Sequence, residues 1–162
     1  MRPIFVTPDT SPSDWKAQSE AAASKAAPCL QGCNSSEISL LLVLLCFLEG
    51  SRITKELLWR GSTRQKRWSQ LGEMIEMGAF ETGLHHDLGA ILSDYSGLSQ
   101  SFRKLEALHV IRAVPSNGMT ILDQQIVARV TDGLPRAIKT FWMHQALLIA
   151  SHGFPRKYLE PK

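Results

Sequence analysis

The sequence predicts a mostly α fold of the winged-helix type, a three-helix core plus a β-hairpin wing, followed by C-terminal helices. Three observations carry this. Ile38 to Leu48 (ISLLLVLLCFL) is an almost unbroken apolar run, which demands a helix buried on most of its circumference. Leu98 to His109 (LSQSFRKLEALH) is amphipathic, with Leu98, Phe102, Leu105 and Leu108 inward and Arg103, Lys104 and Glu106 outward. Directly behind it, Val110 to Val114 and Met119 to Leu122 flank Pro115-Ser116-Asn117-Gly118, a hairpin signal. Helix, helix, linker, helix and hairpin is the order of a winged helix.

Composition sets the outer bounds. With 162 residues, 44% hydrophobic and 20% charged, the chain supplies one domain with a real core. A formal charge of +3 permits anionic partners without demanding them. Cys29, Cys33 and Cys46 are an odd number, and Cys46 sits inside the apolar run, so no disulfide framework is expected. The opening residues MRPIFVTPDTSPSD hold no apolar stretch of signal-peptide length, and Ile38–Leu48 falls short of the ~18 to 20 residues a membrane helix needs. A cytoplasmic protein with no membrane association is the expectation.

In chain order, residues 1–36 alternate Pro3, Pro8, Pro12 and Pro28 with small polar residues and read as a loose arm. Within it Ser13 to Ala27 is rich in helix formers, a marginal helix packed by Trp15. Residues 37–123 form the winged-helix-like domain. After the apolar helix and its Gly50 stop, Ile53 to Arg60 forms a second helix, with Thr54 as its cap and Gly61 as its end. Residues 61–97 are a long insertion. Trp68, Leu71, Met74 and Ile75 fall at helical spacing there, then glycines and acidic residues suggest a looser stretch, with a short helical turn over Asp87 to Ser93. Residues 124–155 are C-terminal helices. Ile126, Val127 and Val130 mark the first, and Ile138, Phe141, Trp142, Leu148 and Ile149 mark the second, whose first turn suits Pro135. Residues 156–162 are a frayed tail.

Beyond this patterning, LLLVLLCFLEGSRITKELLWRG resembles the opening of the winged-helix domain that follows the nucleotide-binding module in fungal NLR-like (STAND) proteins. YSGLSQSFRKLEALHVIRAV is similar to that family's third helix and first wing strand, and MTILDQQIVARV to its second wing strand and following helix. FWMHQALLIASHGFP resembles the helix that leads toward the repeat region, here missing. The resemblance implies a non-enzymatic regulatory and protein-interaction module, possessing no catalytic or metal-binding residue and needing no cofactor of its own. It also implies a fragment of a larger receptor, with a nucleotide-binding domain, a repeat domain or a second copy as partner. The family's nucleotide-sensing histidine falls here on Gln124, whose amide can donate a hydrogen bond but carries no positive charge. No GxxxxGK[ST] loop occurs, so the chain has no phosphate cradle.

Other chemistry is weakly supported. Arg52, Lys55, Arg60, Arg64, Lys66 and Arg67 stand against the single Glu56 and are candidates for partner binding, as is the exposed side of residues 135–155. DNA binding is the alternative, through Arg103 and Lys104 on the third helix and Arg112 on the wing, but so few positives make a thin electrostatic footprint. Cys29, Cys33, His85 and His86 have the wrong spacing for the common zinc sites. His109, His144 and His152 lack a nucleophile motif beside them.

Overall fold

The computed structural model describes residues 12, 14–32, 36–48, 53–114 and 120–153. They are mostly helical, with two small antiparallel sheets. The chain runs through α1 (Trp15–Ala26), a 3-10 turn (Pro28–Gly32), α2 (Ser36–Phe47), α3 (Lys55–Ser62), β1 (Gln65–Trp68) and β2 (Met74–Met77). It continues through α4 (Ala79–Thr82), α5 (His86–Ser93), α6 (Tyr95–Ala107), β3 (Ile111–Ala113), β4 (Thr120–Leu122), α7 (Gln124–Asp132) and α8 (Arg136–Gly153). None of the described helices is long and apolar enough to cross a membrane.

The centre is α2, where every residue from Ile38 to Cys46 is buried. A helix without a polar face needs protein on all sides, and α1, α6, α7 and α8 supply it. Each fully buried leucine there contributes roughly 1.5–3 kcal/mol of transfer free energy. The amphipathic reading of α6 holds for Leu98, Phe102 and Leu105, which are buried, and for Arg103, Lys104 and Glu106, which are exposed; Leu108, just past the helix end, is half-buried, and Ser101 is buried as well. Asp94 caps it, Oδ1 accepting from the Gly97 amide at 3.1 Å.

Part of the expected loose arm is core instead. Trp15, Ser19, Ala22, Ala23 and Ala26 are buried, and α1 packs on α2 and α7. The physical reason lies in side-chain size: a stripe of alanines lets helix backbones approach closely, so little apolar volume suffices to seat it. Trp15 closes the contact. Its ring lies 4.7 Å from Phe141 and 5.5 Å from Trp142, and the Trp142 indole donates to Ser19 Oγ at 2.8 Å. The parts of the arm before residue 12 and the tail of 156–162 lie outside the described residues.

Insertion 61–97 differs from expectation at its start. The helical spacing of Trp68, Leu71, Met74 and Ile75 belongs to a β-hairpin, in which Gln65 pairs with Met77 and Trp68 with Met74. The turn explains it. Gly72 takes φ 77°, a left-handed conformation natural to glycine, and Ser69 Oγ accepts from the amides of Leu71 and Glu73. Four residues spaced at three, three and one fit a helix face and a hairpin tip equally well.

Gly61 is also more than a helix end. It lies inside α3 against α8, where an added Cβ would stand 2.5 Å from Ile149 Cγ2. A Cβ on Gly153 would stand 2.5 Å from the Leu57 carbonyl oxygen. The two helices therefore cross at a distance only glycine permits. The one hairpin that the sequence predicts is present as β3–β4, with Ile111 opposite Leu122 and Ala113 opposite Thr120. The Thr120 amide also donates to the Ile53 carbonyl at 2.9 Å, tying the residues before α3 to the hairpin's edge.

Candidate functional site

The charged residues singled out above do not converge. Arg52 lies outside the described residues, and Lys55 opens α3. Arg60 donates through Nε to the Gly153 carbonyl at 3.2 Å, which ties the ends of α3 and α8 together. Arg64 and Glu76 pair at 3.7 Å on the exposed hairpin, and Lys66 stands opposite Glu76 in the register. Arg67 is on β1 opposite Ile75. Exposed pairs of this kind add little stability. Among the described cations, Arg60 makes a structural tie, Arg64, Lys66 and Arg67 lie at a hairpin that carries its own acids, and Lys55 stands apart at the start of α3.

Near the β3–β4 hairpin, Arg103 and Lys104 are exposed on α6 and Arg112 on β3. An open groove of about 540 Å³ runs between the end of α6 and the β3–β4 hairpin, lined by Glu106, His109, Arg112, Ile121 and Asp123 among others. Two carboxylates share it with the arginine. His109 reaches this groove through a left-handed turn at φ 60°. Gln124 is exposed at the first position of α7, immediately after the cap in which Asp123 Oδ1 accepts from the Gln125 amide at 2.9 Å.

His85, His86 and Asp87 bring one ligand-type atom each within 4.8 Å of one another. Their arrangement is already structural. His85 Nδ1 accepts from the Asp87 amide at 3.2 Å as the cap of α5, its backbone amide donates to Gln145 Oε1 at 2.8 Å, and the Lys16 ammonium pairs with the Asp87 carboxylate. An ammonium thus occupies the carboxylate a metal would use. Burial holds His85 below its ordinary value of 6.5, opposed by the Asp87 charge. The Lys16 hydrogen bond holds Asp87 below 3.8. Cys29 is exposed in the 3-10 turn, and Cys33 lies outside the described residues.

The apolar surface is better organised. Helix α8 buries Ile138, Trp142, Ala146 and Ile149 on one side, yet on another leaves Met143 62% and Leu147 66% exposed. With Thr140 and Ala150 they form a stripe at intervals of three and four residues, the spacing at which one helix receives another. Phe47 and Leu48 at the end of α2 complete an open groove of about 540 Å³ along it. The resemblance to a helix that leads toward a repeat region points to the exposed side of residues 135–155, without singling out Met143 or Leu147. Phe47 was hidden, since an apolar run has no periodicity to mark which member faces out. The second apolar surface, the hairpin tip, exposes Trp68, Leu71, Met74 and Ile75, with Leu71 at 86%. No family model, curated protein or solved structure matches the chain.

Proposed function

We propose that the chain is a non-enzymatic, intracellular protein-interaction module of the winged-helix type, similar to the regulatory domain of fungal NLR-like signalling proteins. The observation that carries the reading is the groove of Phe47, Met143 and Leu147. Met143 and Leu147 are large, apolar and exposed, with Phe47 half-buried beside them, and such patches mark surfaces that another protein covers. The order α2, α3, α6, β3, β4 supports the winged-helix part, as does the hydrogen bond between Ile53 and Thr120, which puts a strand-like segment ahead of the second helix at the edge of the wing. Its partner is the nucleotide-binding or repeat domain of such a receptor, or a second copy of this chain.

The test is capture by the immobilised full chain of an NLR-like nucleotide-binding or repeat domain, alongside its own self-association. Replacing Met143 and Leu147 together by aspartate is expected to weaken whichever association occurs at least about tenfold, the loss of two central apolar anchors. A chain that captures neither domain and stays monomeric removes the reading. DNA retention that falls with salt and with loss of Arg103, Lys104 and Arg112 would replace it.

A further inference from the structure

We infer that the chain assembles head to tail with copies of itself, the tip of the β1–β2 hairpin of one copy seated in the α2–α8 groove of the next. This rests on the interaction reading and names the occupant of its groove. The hairpin is the convex half. Its strands pair chiefly with each other, and a lone two-stranded ribbon is marginally stable in water unless something packs on it. Trp68, Leu71, Met74 and Ile75 are nevertheless all exposed. Phe47, Met143, Leu147 and Ala150 provide the concave half.

Charge favours the same pairing. From Ser69 to Ile75 the only charged side chain is Glu73, at the tip. Helix α8 carries Arg136 and Lys139 in its first turns and no acidic residue from end to end. Glu49, next to the groove residue Leu48, lies outside the described residues. A groove laid against a second groove leaves both concavities unfilled, whereas a projecting tip fills one. The hairpin is rooted at Thr63, whose carbonyl meets His152 Nε2 at 2.7 Å near the end of α8, while the groove lies along Thr140 to Ala150. Each copy thus carries both halves, built from different residues. Such a contact is heterologous, and it propagates into rings or open chains rather than stopping at a pair.

The experiment is sedimentation equilibrium of the full chain over roughly a hundredfold range of concentration, wide enough to cross a dissociation constant. The expected mass passes beyond the dimer as concentration rises. Leu71→Asp and Met143→Asp should each weaken self-association at least about tenfold, as loss of a central anchor does. Mixed in equal amounts, the two variants should form dimers and stop there, since the mixture keeps one intact tip and one intact groove per pair. Glu73→Lys should weaken assembly, and adding Lys139→Glu in the same chain should restore it. Circular dichroism confirms folding, and Leu147→Gln replaces Met143→Asp if that variant unfolds. Assembly lost with Met143→Asp but kept with Leu71→Asp means groove meets groove, which overturns the head-to-tail contact and leaves the interaction reading standing. A wild-type chain that stays monomeric also overturns it, and the reading then stands or falls on capture of a receptor domain. Variants that fail to complement overturn it equally.

Discussion

The α3–α8 crossing and the β1–β2 hairpin are neighbours along the chain, joined through Thr63, yet they are built on opposite principles. At the crossing, Gly61 and Gly153 let two backbones meet so closely that a single methyl group has no room. In the hairpin, Leu71 projects almost wholly into solvent, and its near neighbours Trp68 and Met74 are about half exposed. One region spends its sequence on excluding side chains, the other on displaying them. The difference separates residues that hold the fold from residues free to serve a partner.

The sharpest way to break that contrast is at the crossing. Gly61→Ala should lower stability by about 1–3 kcal/mol, the usual cost of overpacking, because Ile149 presents backbone as well as side chain to the new methyl. Thermal unfolding checks it, and an unchanged midpoint would mean the helices separate easily. Smaller is the pH response of the contact between α1 and α5. His85 and Asp87 both titrate lower in the folded chain than their ordinary values of 6.5 and 3.8, so the unfolded chain binds more protons. His85's contribution is complete above 6.5 and lost as pH falls through its lower folded value; Asp87's is lost further down, below 3.8. The melting temperature should therefore drop between pH 7 and pH 5, and His85→Asn, which keeps a capping acceptor, should flatten that step. Smallest of all is Leu71→Ser, expected to change stability by no more than about 0.5 kcal/mol, as exposed positions do. A large loss there would show that the hairpin tip supports the body.

The same contrast decides what could be read from the sequence. Helices α2 and α6 were plain, because burial on all sides and burial on one side leave distinct apolar patterns between Ile38 and Leu48 and between Leu98 and Leu108. The β3–β4 hairpin announced itself by β-rich runs about an Asn-Gly turn. The first hairpin did not, since it buries no face and so shows no alternation; its strands differ from a helix only in the turn made by Ser69 and Gly72. Helix α1 was underrated because alanines contribute to a core by what they omit. Gly61 could be placed at a helix end by habit but not at a crossing, since the residue that excludes a side chain there is Ile149, far away in the chain. The outer side of α8 was legible only through the family resemblance, and its apolar stripe, with its companion Phe47, needed the tertiary structure.

The bond from Trp142 to Ser19 joins residues far apart in the chain, so the core closes only when both ends are present. A ribosome delivers α1 and α2 first, but their partners α7 and α8 come last. Until then the leucines of α2 have only α1 and α6 against them, and the faces that α7 and α8 will cover stay open. The core of this protein is therefore completed only when its last helix has been made.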